Sequence, residues 1–156
     1  MKIGLLLLCS IFCCVVAGAA SAQSQAQVEF LNSGKTVPGD LPFSEAVRVG
    51  HTLYLSGQVG VVPGTLKLVP GGIEAQARQA MNNIKSVLET HGASMSDLVK
   101  CTVMLADMAK WSEFNGIYKT FFHGRYPARS AMGVNGLAIG AQVEIECIAV
   151  VPTTQP

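Results

Sequence analysis

The sequence predicts one α+β domain with its helices packed on a single face of a sheet. Short apolar runs of period two recur along the chain, two segments carry an apolar stripe of period 3.6, and Gly/Pro-rich connectors separate them. A chain of 156 residues suits one domain with a substantial core.

The elements follow in order. Residues 23–27 read as a loose start, Val28–Leu31 as a short strand, and residues 32–42, rich in Gly and Pro, as a loop. Ala46–Val49 and residues 52–56 are β-prone runs separated by Gly50-His51, a two-residue turn that predicts a hairpin. Residues 61–71 read as a second loop. From 73 to 91, Ile73, Ala77, Ala80, Met81, Ile84, Val87 and Leu88 form a helical stripe, and Gly92 supplies its stop. Residues 94–97 are a short connector. Val99, Cys101, Val103 and Leu105 then alternate with Lys100, Thr102 and Met104, as a half-buried strand does. A second helix places Trp111, Phe114, Ile117, Tyr118 and Phe121 on one face, with Gly124 past its end. That aromatic stripe reads as core, since helical spacing alone accounts for it. Strands at about 128–134 and 142–151 close the domain.

The first residues have another character. Met1 and Lys2 precede an apolar run over 3–16, broken only by Gly4, Cys9 and Ser10, and Ala20-Ser21-Ala22 stands before the polar Gln23-Ser24-Gln25. A charged start, an apolar stretch of about 7–15 residues and an A-x-A site make a secretory leader, whereas a membrane span needs about 20 apolar residues. Residues 1–22 are therefore expected to be a cleavable signal peptide, with residues 23–156 exported as the mature domain to the periplasm or the exterior.

Lys and Arg number 11 against 10 Asp and Glu, so losing Lys2 with the leader leaves the two equal. A nucleic-acid surface shows a basic excess, and this chain has none overall. Cys9, Cys13 and Cys14 leave with the leader, so Cys101 and Cys147 remain. Both occupy apolar-facing strand positions and read as two buried thiols. Pairing stays open, because exported proteins meet oxidising conditions, but spacing along the chain does not give the distance a bridge needs.

Several familiar constellations are missing. His51, His91 and His123 each adjoin a glycine, where a histidine caps or sits on the surface, and the mature chain has no H-x-x-H or C-x-x-C, so no metal is expected. Nor is there a G-x-S-x-G, a P-loop or a G-x-G-x-x-G, which leaves no support for a nucleotide cofactor. Ser56-Gly57 ends the predicted strand and could expose a hydroxyl, but no histidine can be assigned as its base, so Ser56 reads as a serine that closes the strand.

Charged residues in apolar strands are more informative. Arg129 sits in Tyr126-Pro127-Ala128-Arg129-Ser130-Ala131-Met132, and Glu144 and Glu146 share one face of the last strand. Burying such groups costs free energy unless they are paired. Two explanations stand open: an internal ion pair from Arg129 to Glu144, or a site that uses the arginine to grip a carboxylate.

Pro42-Phe43-Ser44-Glu45-Ala46, Leu53-Tyr54-Leu55-Ser56-Gly57-Gln58, Gly72-Ile73-Glu74, Val99-Lys100-Cys101-Thr102-Val103, Asn115-Gly116-Ile117-Tyr118, Pro127-Ala128-Arg129-Ser130 and Val143-Glu144-Ile145-Glu146 stand in order along residues 28–151. In that order and spacing the chain resembles the Rid/YjgF family, the reactive-intermediate imine deaminases. The resemblance implies a homotrimer of chorismate-mutase-like α+β subunits, a mixed sheet with two helices on one face, clefts between neighbouring chains, and no cofactor. It implies hydrolysis of small 2-imino acids or enamines, of the 2-iminobutanoate and 2-iminopropanoate type, to 2-oxo acids and ammonia. By position, Arg129 would bind the substrate carboxylate and Glu144 would hold the attacking water or move its proton. Phe43, Ser56, Asn115 and Ala131 match pocket positions.

Two of these depart from the family pattern. Phe43 stands where the deaminases commonly have tyrosine, which removes a hydroxyl, and Ala131 stands where many have cysteine. The leader is a third departure, since most relatives look cytoplasmic. Together, Phe43 and the leader favour a competing expectation: a non-catalytic exported trimer that binds small carboxylates or shields unfolded proteins. The ribonuclease and translation-inhibitor labels attached to the family fit a neutral, exported protein poorly.

Overall fold

A computed structural model describes residues 26–151. The expected leader at 1–22, its three cysteines, residues 23–25 of the loose start and the last five residues lie outside the described residues.

Among the described residues, six strands and two α-helices follow one another: β1 Val28–Leu31, β2 Ala46–Val49, β3 Thr52–Val59, α1 Gly72–Thr90, β4 Leu98–Leu105, α2 Trp111–Lys119, β5 Ala128–Gly133 and β6 Val143–Val150. The strands form one sheet in the order β1-β2-β3-β6-β4-β5. β4 and β5 pair in parallel, and every other pairing is antiparallel. Parallel neighbours need a crossover, which α2 provides. β3 and β4 also run parallel, because each pairs antiparallel with β6 between them. The α+β architecture expected from the sequence is the one observed.

Alternation sets the core. Leu53 and Leu55 of β3, Cys101, Val103 and Leu105 of β4, and Val143, Ile145, Cys147 and Ala149 of β6 face the helices. They meet Ile73, Ala77, Ala80, Met81, Ile84 and Leu88 of α1 and Phe114, Ile117 and Tyr118 of α2. Each large apolar side chain so buried contributes about 1.5–3 kcal/mol. Gly92, at φ 73°, turns the chain after α1 with the Ala93 N–H donating to the Leu88 carbonyl at 2.8 Å and the Gly92 N–H to that of Glu89 at 3.4 Å. This is the Schellman pattern that the glycine predicted.

Three boundaries differ from expectation for local reasons. An irregularity between Leu98 and Lys100 shifts the β4–β6 register, so Leu98 is buried and Val99 turns outward. α2 ends at Lys119, so Phe121 falls beyond it and Phe122 takes the buried place. β3 does not stop at Ser56. It continues to Val59 through a second irregularity between Leu55 and Gln58.

Buried polar side chains lash the frame where the strands end. Asn83 of α1 donates to the carbonyls of Val59 and Val61, at 3.2 and 3.1 Å, and Gln76 accepts from the Gln142 N–H at 2.9 Å. α1 therefore holds both the end of β3 and the start of β6. Glu45, 2% exposed, accepts from the Ser33 N–H at 2.8 Å, the Ser33 hydroxyl at 2.6 Å and the Thr36 hydroxyl at 3.2 Å, which ties down the loop leading to Phe43.

Cys101 and Cys147 stand directly opposite each other on β4 and β6 and form a disulfide, not the two thiols their positions suggested. Both side chains point into the same core from adjacent strands, a proximity that only the sheet register creates. With a sequence separation of 46, the bridge restricts the unfolded chain by about 4 kcal/mol on the chain-entropy estimate. The double variant Cys101→Ala/Cys147→Ala is expected to melt lower by on the order of 10 °C; calorimetry giving equal melting temperatures would contradict a structural role for the bridge.

Candidate active site

The residues singled out for chemistry fall into two clusters. α2 and β5 build the first. Arg129, on β5, points to the helix side of the sheet, where its Nη2 donates to Oδ1 of Asn115 at 2.8 Å. Its Cζ lies 4.8 Å from the Trp111 ring centroid, 5.8 Å from that of Phe114 and 4.6 Å from that of Tyr118. Ala131, two residues along β5, packs against the core on the same face.

Arg129, Asn115, Tyr118, Lys119, Tyr126 and Pro127 line a cavity of about 360 Å³. No carboxylate lines it, and among the described residues no ion pair engages Arg129. An arginine whose charge is held but not neutralised, at a cavity wall, suits a planar anion that it can grip with two N–H groups. A cavity of about 390 Å³ adjoins it across Tyr126 and Pro127, lined by Met95, Leu98, Val99, Phe121 and Phe122 among others. It is slightly larger but holds no comparable pairing of arginine and amide.

The second cluster is built by β3 and β6. Val143, Ile145 and Cys147 point to the core, so Glu144 and Glu146 point to the opposite, helix-free face. Burial first, and then repulsion from Glu146, raise the Glu144 carboxyl above its ordinary value of 4.5. Gly57 makes room for it: a Cβ there would collide with Oε1 of Glu144. The Ser56 hydroxyl donates to the Ser44 carbonyl at 2.6 Å and so anchors the segment carrying Phe43. Phe43 itself is 46% exposed.

The internal ion pair between Arg129 and Glu144 does not exist. The two lie on opposite faces of the sheet, and β4 separates their strands, a spacing of about 10 Å between β5 and β6. One copy of the chain therefore carries two candidate half-sites: Arg129, Asn115 and Ala131 around α2 and β5, and Ser56 and Glu144 on β3 and β6, with Phe43 on the segment that Ser56 anchors. Sequence reading did not single out Gly57 or the contact of Trp111 with Arg129. The first falls at the expected end of a strand, and the second lies inside an aromatic stripe that packing explains.

A raised carboxyl pKa has a definite sign. Folded Glu144 holds its proton to higher pH than the unfolded chain does, so its contribution favours folding as pH falls and is lost as pH rises from 4.5 through the raised value. Carboxyl NMR titration is expected to find Glu144 above the ordinary range, and lower but still raised in Glu146→Gln, because burial is the larger cause. A normal Glu144 titration in the unaltered protein would contradict the described environment.

Comparison with known proteins adds the following. The family described as Endoribonuclease L-PSP matches residues 35–151. The chain is similar to the 2-iminobutanoate/2-iminopropanoate deaminase of Mus musculus, with 49% identity over 109 residues, 70% of this chain and 81% of that one. It is similar in structure to yeast Mmf1, with a TM-score of 0.76 and 34% identity over 81% of this chain and all of that one. E. coli TdcF, solved with bound serine, gives a TM-score of 0.74 and 31% identity over 80% of this chain and 99% of that one.

Proposed function

The chain belongs to the Rid/YjgF family, which the Endoribonuclease L-PSP description covers, and from that premise we propose that it hydrolyses small 2-imino acids to 2-oxo acids and ammonia. The observation that carries this reading is Arg129, an arginine without a carboxylate partner at the wall of a small cavity. The name of the Mus musculus relative supplies the substrate class, and the serine bound in TdcF, a small amino acid with a carboxylate, agrees with it.

The reaction asks little of the protein. Water adds to the imine carbon, and the resulting carbinolamine expels ammonia to leave the 2-oxo acid. Arg129 grips the substrate carboxylate with two parallel N–H groups, which fixes the imine carbon in place. Glu144, as carboxylate, takes a proton from the attacking water and returns it to the departing nitrogen. A carboxyl raised toward neutrality is better matched to both transfers than an ordinary one, and such help is worth about a hundred- to ten-thousand-fold. Phe43 offers its ring to the substrate but no hydroxyl.

Because Arg129 and Glu144 face away from each other, the reading requires Arg129 of one copy to meet Glu144 of another. A head-to-tail contact that closes on itself makes a ring, and we take that ring to be a homotrimer. Residues 1–22 direct export and are removed, a reading that the Cys101–Cys147 disulfide supports, since such bonds persist in oxidising compartments.

The test generates 2-iminobutanoate with an amino-acid oxidase and follows its capture by semicarbazide. The mature protein is expected to suppress capture, and Arg129→Ala to lose roughly a hundredfold or more of kcat/KM. The acidic limb of the kcat/KM profile is expected above the ordinary carboxylate range and to vanish in Glu144→Gln. Capture unchanged by the wild-type protein would replace hydrolysis with the reading of a trimer that only binds small carboxylates. Light scattering should return the mass of three chains; a one-chain mass would leave the half-sites apart.

A further inference from the structure

Trp111, Asn115 and Tyr118 recur at i, i+4 and i+7 along α2, so they share one face of the helix, and that face looks at Arg129. An arginine side chain is long and samples many rotamers when free. Here its Cζ lies over the rings of Trp111 and Tyr118, 4.8 and 4.6 Å from their centroids, and Asn115 takes one of its five N–H donors. Among the described residues, no other side-chain hydrogen bond engages its N–H groups, and Arg129 lines the cavity.

Tyr118 is informative because its hydroxyl goes unused among the described residues. The residue is 3% exposed, and its Oη is buried without a hydrogen-bond partner. An unpartnered buried hydroxyl is a cost, so what the residue contributes to this neighbourhood is its ring. Burial, opposed by the charge of Arg129, pushes the hydroxyl up to about 12, so the ring stays neutral across the physiological range and its face attracts the cation. Trp111 is only half-buried, and it is the sole tryptophan of the sequence.

We propose that Trp111 and Tyr118 are positioning residues that clamp the Arg129 guanidinium in the plane required to receive a carboxylate. The pair acts through Arg129 and sets substrate affinity, leaving the proton transfers to the other half-site. This rests on the reading of Arg129 as the carboxylate grip.

The clamp makes two measurable statements. First, Trp111 reports occupancy of Arg129: its emission is expected to change saturably when 2-oxobutanoate, the product, is titrated into the mature protein, and not to change in Arg129→Ala. Second, the π face and the apolar bulk of Trp111 are separable. Trp111→Leu keeps bulk without a face, and Trp111→Phe keeps a face.

Trp111→Leu is expected to raise KM, and the calorimetric dissociation constant for 2-oxobutanoate, by about five- to thirty-fold, with kcat within about twofold. Trp111→Phe is expected to recover most of that affinity. A flat wild-type emission, or a Trp111→Leu protein with wild-type affinity, would overturn the clamp. So would a loss in kcat at unchanged KM. If the wild-type protein turns over no imine, hydrolysis fails by itself, and the emission and calorimetric titrations with 2-oxobutanoate still decide the clamp.

Discussion

A β-strand shows alternate side chains to opposite faces, and that constraint governs everything this chain can do chemically. Ile145 and Cys147 must face the helices to fill the core, so Glu144 and Glu146 must face away from them. Arg129 faces the helices, where α2 holds it. Slipping either strand by one residue would bring the two charges to one face only by expelling its core residues. The core therefore keeps the two charges apart within one copy.

Both clusters are fastened to the frame. α1 fastens the end of β3 and the start of β6 with Asn83 and Gln76, and Gly57 and Glu144 lie on those same two strands. Glu45 fastens the loop before β2, from which Phe43 projects. On the other side, the Cys101–Cys147 bridge joins β4 to β6 in the row where Cys101 also pairs with Arg129. Preorganisation of this kind matters for an electrophile that already reacts with water. Holding the groups in the right geometry is most of what a catalyst can add.

Much of this was legible in the sequence, and the misses share a cause. Both helices and β4 announced themselves through periodicity, the other strands through short β-prone runs between Gly/Pro-rich connectors, and Gly92 marked the end of α1. Failures came where a residue's role depends on a neighbour far away in the chain. Val99 continues the alternation of β4 on paper, but an irregularity in its pairing with β6 turns it outward. Gly57 looked like the end of a strand, yet β3 passes through it because Glu144 of β6 needs the space. The disulfide and the absent Arg129–Glu144 pair follow from strand order and register, which a pattern along one strand does not contain. Trp111 was read as core by its spacing, and the spacing alone does not show that Arg129 lies across its ring.

The central claim is that a working site takes Arg129 from one copy and Glu144 from another, and subunit mixing tests it most directly. Arg129→Ala and Glu144→Gln proteins, each inactive alone, would be dissociated, mixed in equal amounts and reassembled. Random rings of three then contain one intact pairing in every mixed ring, about a quarter of all sites, and imine hydrolysis should return to about that fraction of wild type. Activity that stays at the level of the separate variants, in rings shown by mass to be mixed, would mean that the two residues do not serve one site across the subunit boundary.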